Sequence, residues 1–321
     1  MRALFNLPAP AKINWFLHVT GRRGDGYHTL ETVFQFIDWC DGIDLVVRDD
    51  GAIRRAMGDG LPEHDLCVRA ATLLQQASGC RLGVDIVLRK SIPQQAGLGG
   101  GSSDAATVLL GLNRLWRLHL SRERLMQLAL QLGADVPVFV FGRNAWAGGV
   151  GEALRPIDLP TPTWAVVHPA RGLSTREVFG ALDLTNHLHE ETIIGFAEWL
   201  RLLDGGGFRP EVQAGSDSLD RPRSPESPKT PMPAEMWGVN DLQQAAEAIE
   251  PQVGLAARWL QARIAATGAT QRFAARMSGS GSAVFAWVDG ASGWLGGLPA
   301  GWQGRLCRGL GGHPLQRWID A

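Results

Sequence analysis

The sequence has little that would place the protein in a membrane, on a nucleic acid or around a metal ion. Its four cysteines, Cys40, Cys67, Cys80 and Cys307, are scattered without a CxxC pair, which argues against a disulfide framework and a zinc site. Its 31 basic residues almost balance 32 acidic ones, so neither a nucleic-acid footprint nor an electrostatic membrane anchor is indicated. No apolar run approaches the ~20 residues of a membrane span, and the first residues lack a signal-peptide pattern. We therefore expect a cytoplasmic protein without membrane or nucleic-acid partners.

The first 160 residues alternate short apolar segments with glycine turns, which is typical of a domain that mixes helices and strands. Asp65 can cap one predicted helix, and Ser121 can cap a later one that Gly133 would end. The predicted strands are 11–19, 31–38, 43–48, 84–89 and the strand-like run VPVFVF after Asp135. The predicted helices are 65–77, about 103–115 and 122–132.

A second unit begins near residue 160 with the strand-like TWAVVHP, so the length and the pattern together predict domains 1–160 and 161–321. Residues 209–233 hold six prolines among Ser, Asp, Glu and Arg, and this composition predicts a mobile insertion. Around the insertion, the pattern predicts helices at 190–203 and 239–265, and strands in ATQRFAARM and AVFAWV. No element is predicted for the last thirty residues.

The clearest chemical signal is the glycine-rich segment PQQAGLGGGSSDAA, residues 93–106. Glycines allow a close backbone approach, and their N–H groups at a helix start form a cradle for phosphate. Ser102 and Ser103 can cap the helix or donate to phosphate oxygens. No Gly-Lys-Ser/Thr follows, so this is not a Walker A loop, and no acidic residue at the required distance supports a dinucleotide fingerprint. The alternative is a flexible glycine turn before a helix.

Two charged residues are candidates for acid–base chemistry beside this cradle. Asp135 lies in a tight connection, where its carboxylate could act as a general base or could bond its own backbone. Lys12 and Asn14 share one strand face and could point into one site, although an exposed strand lysine is an equally good interpretation.

Two further loops are candidate ligand contacts. Tyr27 is the only tyrosine and adjoins His28 in a glycine-turned loop, and such a pair suits stacking on a base and reading its edge. The loop SGSGS at 278–282 either approaches the same ligand or forms a tight hairpin.

The segments PAKIN, DGYH, AGLGGGSSDAA and LGADVPVF, in this order, resemble the GHMP kinase superfamily. The resemblance covers most of residues 8–203 and returns at 239–288. It implies an α+β fold of two domains, the first like ribosomal protein S5 domain 2 and the second ferredoxin-like. It also implies an enzyme that uses ATP and Mg²⁺ to phosphorylate an alcohol group. The most similar members act on a cytidyl-diphosphate sugar alcohol.

The resemblance assigns roles to residues at matching motif positions. It makes Asp135 the catalytic base and Lys12 its catalytic partner. At Asp65, near the expected adenine pocket, the family usually has Asn. The expected ATP contacts are Lys90, Pro93, Gly97, Leu98, Gly99, Gly100, Gly101, Ser102 and Ser103. The expected substrate contacts are Asn14, Tyr27, His28, Thr175 and Phe179.

Two other functions remain possible at this stage. One is another small-molecule kinase of the superfamily, such as a homoserine or mevalonate kinase, which the Tyr27–His28 pair and LGADVPVF disfavour. The other is a non-catalytic nucleotide-binding or RNA-contacting module, against which the near-neutral charge counts. We expect small-molecule partners and a monomer or a weak homodimer.

Overall fold

The structure, a computed structural model, describes residues 2–55, 65–182, 239–266, 274–288 and 295–318. Helices and strands are interspersed, as expected for an α+β protein. The first half contains β1 (Ala3–Arg22), β2 (His28–Arg48), β3 (Ile53–Arg55), α1 (Leu66–Ser78), β4 (Gly83–Arg89), α2 (Gly100–Leu115), α3 (Arg122–Leu132), α4 (Val136–Phe141), β5 (Ala145–Gly148) and β6 (Ala153–Pro156). The remainder contains β7 (Thr163–His168), α5 (Thr175–Gly180), α6 (Gln243–Ile249), α7 (Gln252–Ala266), β8 (Arg276–Met277), β9 (Val284–Val288), β10 (Gln303–Arg308) and a 3₁₀ turn at Gln316–Trp318. Within these ranges, no helix is long and apolar enough to cross a membrane.

A long antiparallel hairpin of β1 and β2 forms the centre of a six-stranded sheet. β2 pairs with β1 along one edge and with β4 and β5 along the other, and β3 and β6 lie at the ends. The strands predicted separately at 31–38 and 43–48 form a single strand. A bulge lies where the two predicted segments meet: Pro10 pairs with Cys40, and the next residue, Ala11, pairs with Ile37, so extra residues of β2 stay unpaired between them.

The two faces of this hairpin enter different cores. Phe34 and Phe36 pack with α1 to α4 in one core, whereas Val33 and Ile37 pack against residues of the second sheet. This alternation follows from the two-residue period of a strand and makes β2 a structural link between the halves.

The predicted helix ends at Asp65, Ser121 and Gly133 are confirmed. Asp65 accepts hydrogen bonds from the first-turn amides of α1, Ser121 accepts one from Arg124, and α3 ends just before Gly133. These signals depend on local geometry alone and are readable from the sequence.

The strand-like interpretation of residues 136–141 is wrong, because VPVFVF forms the short helix α4. A continuous apolar run suits a buried helix as well as a strand, and Pro137 is compatible with a first helical turn. Gly142, at a φ of 76°, ends the helix. Helix α2 also begins earlier than predicted, at Gly100 instead of residue 103, so two loop glycines belong to its first turn.

The second sheet has the order β10-β7-β9-β8 and packs on helix α7. The helix predicted over 239–265 is broken at Glu250, because Pro251 disfavours helical geometry in the residue before it. Of ATQRFAARM, the described part contributes only the short strand β8. The helix predicted at 190–203 and the insertion at 209–233 lie outside the described residues.

The two sheets share a core rather than forming separate bodies. Trp15 and Trp164 meet edge to face, with ring centroids 5.5 Å apart. Both indoles donate to the side-chain oxygen of buried Gln35, at 2.9 and 3.0 Å. The last described segment, after β10, returns to the first half, where Leu315 enters the core around α2 to α4.

Candidate active site

A cleft of about 1160 Å³ lies between the start of α2, the middle of β1 and the loops of the second half. Pockets of this size and shape are the usual places for small-molecule binding. Nearly all residues singled out from the sequence line it, namely Lys12, Asn14, Tyr27, His28, Lys90, Pro93, Gly97, Leu98, Gly99, Gly100, Gly101, Ser102, Asp135, Thr175 and Phe179.

The first glycine loop has a backbone that only glycine accommodates easily. Gly97 and Gly99 have φ values of 72° and 71°, in the left-handed region. A Cβ atom on Gly97 would lie 2.0 Å from the carbonyl oxygen of Ser278, so the two glycine loops touch at this point. The first turn of α2 follows at once without a side-chain cap among the described residues. Its free N–H groups and the positive end of the helix dipole suit an anion.

Of the two serines that follow, only Ser102 lines the cleft. The prediction that Ser103 contacts phosphate is not supported, because its side chain is fully buried and its N–H donates to Gly99. Helix α2 begins at Gly100, and this earlier start turns position 103 into the core.

Lys12 and Asp135 meet at the floor of the cleft, with Nζ and Oδ2 3.4 Å apart. The lysine side chain is only 2% exposed, whereas that of the aspartate is 42% exposed. Asp135 directly precedes α4 without a side-chain cap bond among the described residues, so its carboxylate faces the cleft. Cβ atoms on Gly99 and Gly279 would lie 3.1 Å from the Lys12 side chain, so both glycine loops close around it.

The buried Lys12 ammonium has a second oxygen partner, Asn14, whose Oδ1 accepts a hydrogen bond at 2.7 Å. The ring of Phe34 lies 5.3 Å from Nζ and adds a cation–π contact. A charge taken out of water needs such partners, and their arrangement fixes where the ammonium lies.

The other end of the cleft is aromatic. The rings of His28 and Phe179 are stacked, with centroids 5.2 Å apart and planes 23° from parallel, while Tyr27 is largely exposed beside them. Burial lowers the pKa of His28, and the Arg22 guanidinium lowers it further. Thr175 and Ser280 are joined by a hydroxyl hydrogen bond of 2.8 Å. The loop at 278–282 therefore reaches the cleft, as one of the two sequence interpretations expected.

Lys90 lines the cleft, but its ammonium is held by two buried carboxylates, Asp41 and Asp104. Burial acts to lower the pKa of Lys90, but the two carboxylates outweigh it and hold this pKa above its ordinary value. Burial raises the pKa of the Asp104 carboxyl to about 7, although Lys90 opposes this shift. The Lys90 ammonium is thus already paired with two carboxylates of the protein itself.

Both carboxylate oxygens of Asp65, the position at which the family usually has Asn, have partners within the protein. One accepts from the amides of Cys67 and Val68, and the other pairs with Arg55 at 2.6 Å. The acidic residue is therefore neutralised at the edge of the cleft by an arginine from β3.

Proteins of known name match this chain over nearly its whole length. The 4-diphosphocytidyl-2-C-methyl-D-erythritol kinase of Paracidovorax citrulli is 46% identical over 99% of this chain and 98% of its own. The protein of the same name from Methylibium petroleiphilum is also 46% identical, over 99% of both chains. The chain belongs to the 4-diphosphocytidyl-2-C-methyl-D-erythritol kinase family.

The fold of the chain agrees with its membership of this family. Residues 65–143 match the N-terminal domain of GHMP kinases. A crystal structure of 4-(cytidine 5'-diphospho)-2C-methyl-D-erythritol kinase is 31% identical, has a TM-score of 0.68 and covers 96% of this chain and 100% of its own. The mevalonate kinase of Methanococcus jannaschii covers 96% of this chain and 98% of its own with a TM-score of 0.60, but at 12% identity it shows only the fold. The chain therefore has the GHMP kinase fold, and ATP is the phosphoryl donor that this kinase family uses.

Two residues that hold the cleft together, Thr32 and Asn240, lie in no motif and were not predicted from the sequence. Thr32 bonds Asn14, and Asn240 donates from Nδ2 to the carbonyl oxygens of Met277 and Gly279, at 2.9 and 2.7 Å. Asn240 thereby anchors the second glycine loop. No local pattern distinguishes these residues, because their roles arise from contacts between distant segments.

Proposed function

We propose that the protein transfers the γ-phosphoryl group of ATP to the 2-hydroxyl of 4-diphosphocytidyl-2-C-methyl-D-erythritol, in isoprenoid precursor biosynthesis by the non-mevalonate pathway. The observation that carries this proposal is the Lys12–Asp135 pair, 3.4 Å apart between two glycine loops. Full-length similarity to kinases of that name supports the choice of substrate.

In the proposed mechanism, the acceptor hydroxyl lies against both Lys12 and Asp135. Asp135 accepts the hydroxyl proton as general base, and its exposure on the cleft side leaves it a route to return that proton to water. The Lys12 ammonium stabilises the negative charge that develops on the acceptor oxygen. Phosphoryl transfer proceeds through a loose transition state, so positioning and charge stabilisation provide most of the catalysis.

The phosphates of ATP bind at the first turn of α2. The main-chain N–H groups of Gly100, Gly101 and Ser102 have no helical partner, and the Ser102 hydroxyl lies among the cleft residues. Pro93, Gly97 and Leu98 line the approach to this turn. Lys90 acts indirectly, since its ammonium is bound by Asp41 and Asp104.

A Mg²⁺ ion fits this site as a partner of the phosphates. The residues that the structure describes include no group of three His, Cys, Asp or Glu that could hold a metal. Mg²⁺ needs no such group in kinases, because it is held by substrate phosphates, waters and one or two protein oxygens. The Ser102 hydroxyl is the protein oxygen that would hold it, and the ion would neutralise phosphate charge.

The cytidyl group binds at the aromatic end of the cleft, among Tyr27, His28 and Phe179, and Thr175 and Asn14 are further substrate contacts that line the same cleft. The rings of His28 and Phe179 are stacked directly on each other, so there is no room for a base between them. A cytosine base therefore binds either between the two rings after they separate, or outside the pair with Tyr27 covering the other face of the base. A neutral His28 suits hydrogen bonding to the edge of a base, and its lowered pKa favours that form.

The proposed domain organisation is 1–160, like ribosomal protein S5 domain 2, and 161–321, which is ferredoxin-like. It is supported by the two sheets, of which the larger ends at Pro156 and the smaller begins at Thr163. The segment after β10 crosses back to the first unit, where Leu310 donates its N–H to Phe36 at 2.8 Å. A cytoplasmic location and a monomer or weak homodimer stay predictions from the sequence.

The test is an assay of the purified protein with ATP, Mg²⁺ and a panel of alcohols. We expect ADP release only with 4-diphosphocytidyl-2-C-methyl-D-erythritol, and a new phosphomonoester signal in the ³¹P NMR spectrum of the product. Preferred turnover of homoserine or mevalonate would assign the other kinase functions instead. ATP binding without turnover of any alcohol would indicate a non-catalytic module.

A further inference from the structure

Thr32 is a fully buried residue of β2 whose hydroxyl has a fixed hydrogen-bond direction. It donates its only hydroxyl hydrogen to the carbonyl oxygen of Phe16. The Thr32 hydroxyl oxygen, Oγ1, itself accepts a hydrogen bond of 2.8 Å from Nδ2 of Asn14. Because the hydrogen is already used, Thr32 can only accept from Asn14.

This restriction fixes which way the Asn14 amide faces. Its nitrogen must lie towards Thr32, so its oxygen lies towards Lys12, where Oδ1 accepts from Nζ at 2.7 Å. In the opposite orientation, the NH₂ group would face an ammonium, which has no lone pair to accept it. The Asn14 oxygen would then face the lone pairs of Thr32, so both hydrogen bonds would be lost together.

The position of Lys12 depends in turn on this amide oxygen. Nζ lies between Asn14 Oδ1, at 2.7 Å, and Asp135 Oδ2, at 3.4 Å. The lysine is 2% exposed, so water cannot take over the role of the amide oxygen without rearrangement of the site. Without that oxygen, the ammonium would move towards the carboxylate and away from the place of the acceptor hydroxyl.

We propose that Thr32 is a positioning residue for phosphoryl transfer, which holds the Lys12 ammonium in place by fixing the orientation of the Asn14 amide. This inference rests on the proposed function of the Lys12–Asp135 pair. It also gives Asn14 a different role from the substrate contact that the family resemblance implies, because both of its amide groups are engaged within the protein.

The kinetic test compares Thr32→Val, which removes the hydroxyl at nearly constant shape, with Thr32→Ser, which keeps it. Thr32→Val should lower kcat roughly tenfold to a hundredfold, a part of the roughly 10²–10³ that a charge-stabilising donor contributes, while KM for ATP stays within about twofold. Thr32→Ser should recover most of kcat. The matched control is Thr107→Val on α2, a fully buried threonine whose hydroxyl has no hydrogen-bond partner among the described residues. It should leave both constants unchanged.

A second measurement needs no substrate and separates this proposal from the proposed function. The side-chain amide of Asn14 gives a pair of ¹H–¹⁵N signals that Asn14→Asp removes, which assigns them. We expect slow hydrogen exchange of this amide in the wild type and in Thr32→Ser, and exchange at least about tenfold faster in Thr32→Val.

The outcomes are distinct. If the wild type phosphorylates no alcohol while the amide behaves as expected, the proposed function fails but Thr32 still orients Asn14. If Thr32→Val keeps wild-type kcat, or if Thr32→Ser falls as far as Thr32→Val, the positioning role is wrong. Unchanged amide exchange in Thr32→Val would overturn it as well. Far-ultraviolet circular dichroism and thermal melting of each variant exclude loss of the fold as the cause.

Discussion

At the scale of single residues, the two charges at the cleft floor differ in their access to water. Asp135 has 42% of its side chain exposed, whereas Lys12 has 2%. A general base must pass its proton on, which an exposed carboxylate can do, while the buried ammonium is held in place by its contacts with Asn14 and Asp135. The asymmetry matches a division of work between proton acceptance and charge stabilisation.

This division predicts the effect of removing either group. Asp135→Asn and Lys12→Met should each lower kcat by on the order of 10²–10⁴, as expected for loss of a proton acceptor or of transition-state charge stabilisation. The affinity for a non-hydrolysable ATP analogue, measured by calorimetry, should change little because the proposed phosphate site lies at the first turn of α2. Asp49→Asn, at a surface pair with Arg2, is the control and should not change turnover. Near wild-type turnover in both cleft variants would remove them from the mechanism.

At the scale of secondary-structure elements, the site depends on the contact between two glycine loops. The α-carbon of Gly97 lies against the carbonyl oxygen of Ser278. The Ser278 hydroxyl also donates a hydrogen bond of 3.1 Å to the carbonyl oxygen of Gly97. Through this contact, the loop before α2 and the loop after β8 are held as one unit around Lys12. The surroundings of Lys12 are therefore built from both halves of the chain.

Gly97→Ala tests this contact. A Cβ atom 2.0 Å from the carbonyl oxygen forces the loops apart, and the left-handed φ of 72° adds strain. We expect a loss of unfolding free energy of about 2–4 kcal/mol and a fall in kcat of at least roughly a hundredfold. Denaturant titration and steady-state kinetics measure the two effects. Gly148→Ala is the control, because nothing lies near its Cβ position. Equal behaviour of both variants would show that the loop contact is unimportant.

Elements whose ends depend on local chemistry could be predicted from the sequence, and those set by packing could not. The caps at Asp65 and Ser121 were readable because their side chains bond the next turn. The helical state of residues 136–141 was not, since an apolar run of that length fits a strand equally well before its neighbours are known. The motifs likewise pointed to Lys12 and Asp135, which the fold brings within 3.4 Å of each other, but Thr32 contacts Asn14 through a bond across two strands that no local pattern marks.

At the scale of the whole molecule, the chain after β10 fastens the second half to the first. His313 donates its N–H to the carbonyl oxygen of Gly142 and accepts at Nδ1 from Leu315, and its ring meets the ring of Phe36 edge-on. The histidine is 3% exposed, and this burial lowers its pKa to about 3. Because the folded protein keeps this imidazole buried and neutral, the stability of the junction between the two halves should depend on pH.

The sign of this link follows from where the proton binds. Below pH ~6.5 the unfolded chain protonates this histidine while the folded protein does not, so stability present above that pH is lost as the pH falls towards 3. Between pH 7 and pH 5, the single group should lower the free energy of unfolding by about 2 kcal/mol. His313→Asn keeps an acceptor near the position of Nδ1 but cannot take up a proton. The free energy of unfolding of this variant should therefore fall by about 2 kcal/mol less between pH 7 and pH 5 than that of the wild type. Urea titrations at both pH values measure the difference, with His119→Asn as the control, since that ring is exposed. An unchanged pH dependence in His313→Asn would mean that another group carries the acid sensitivity of this junction.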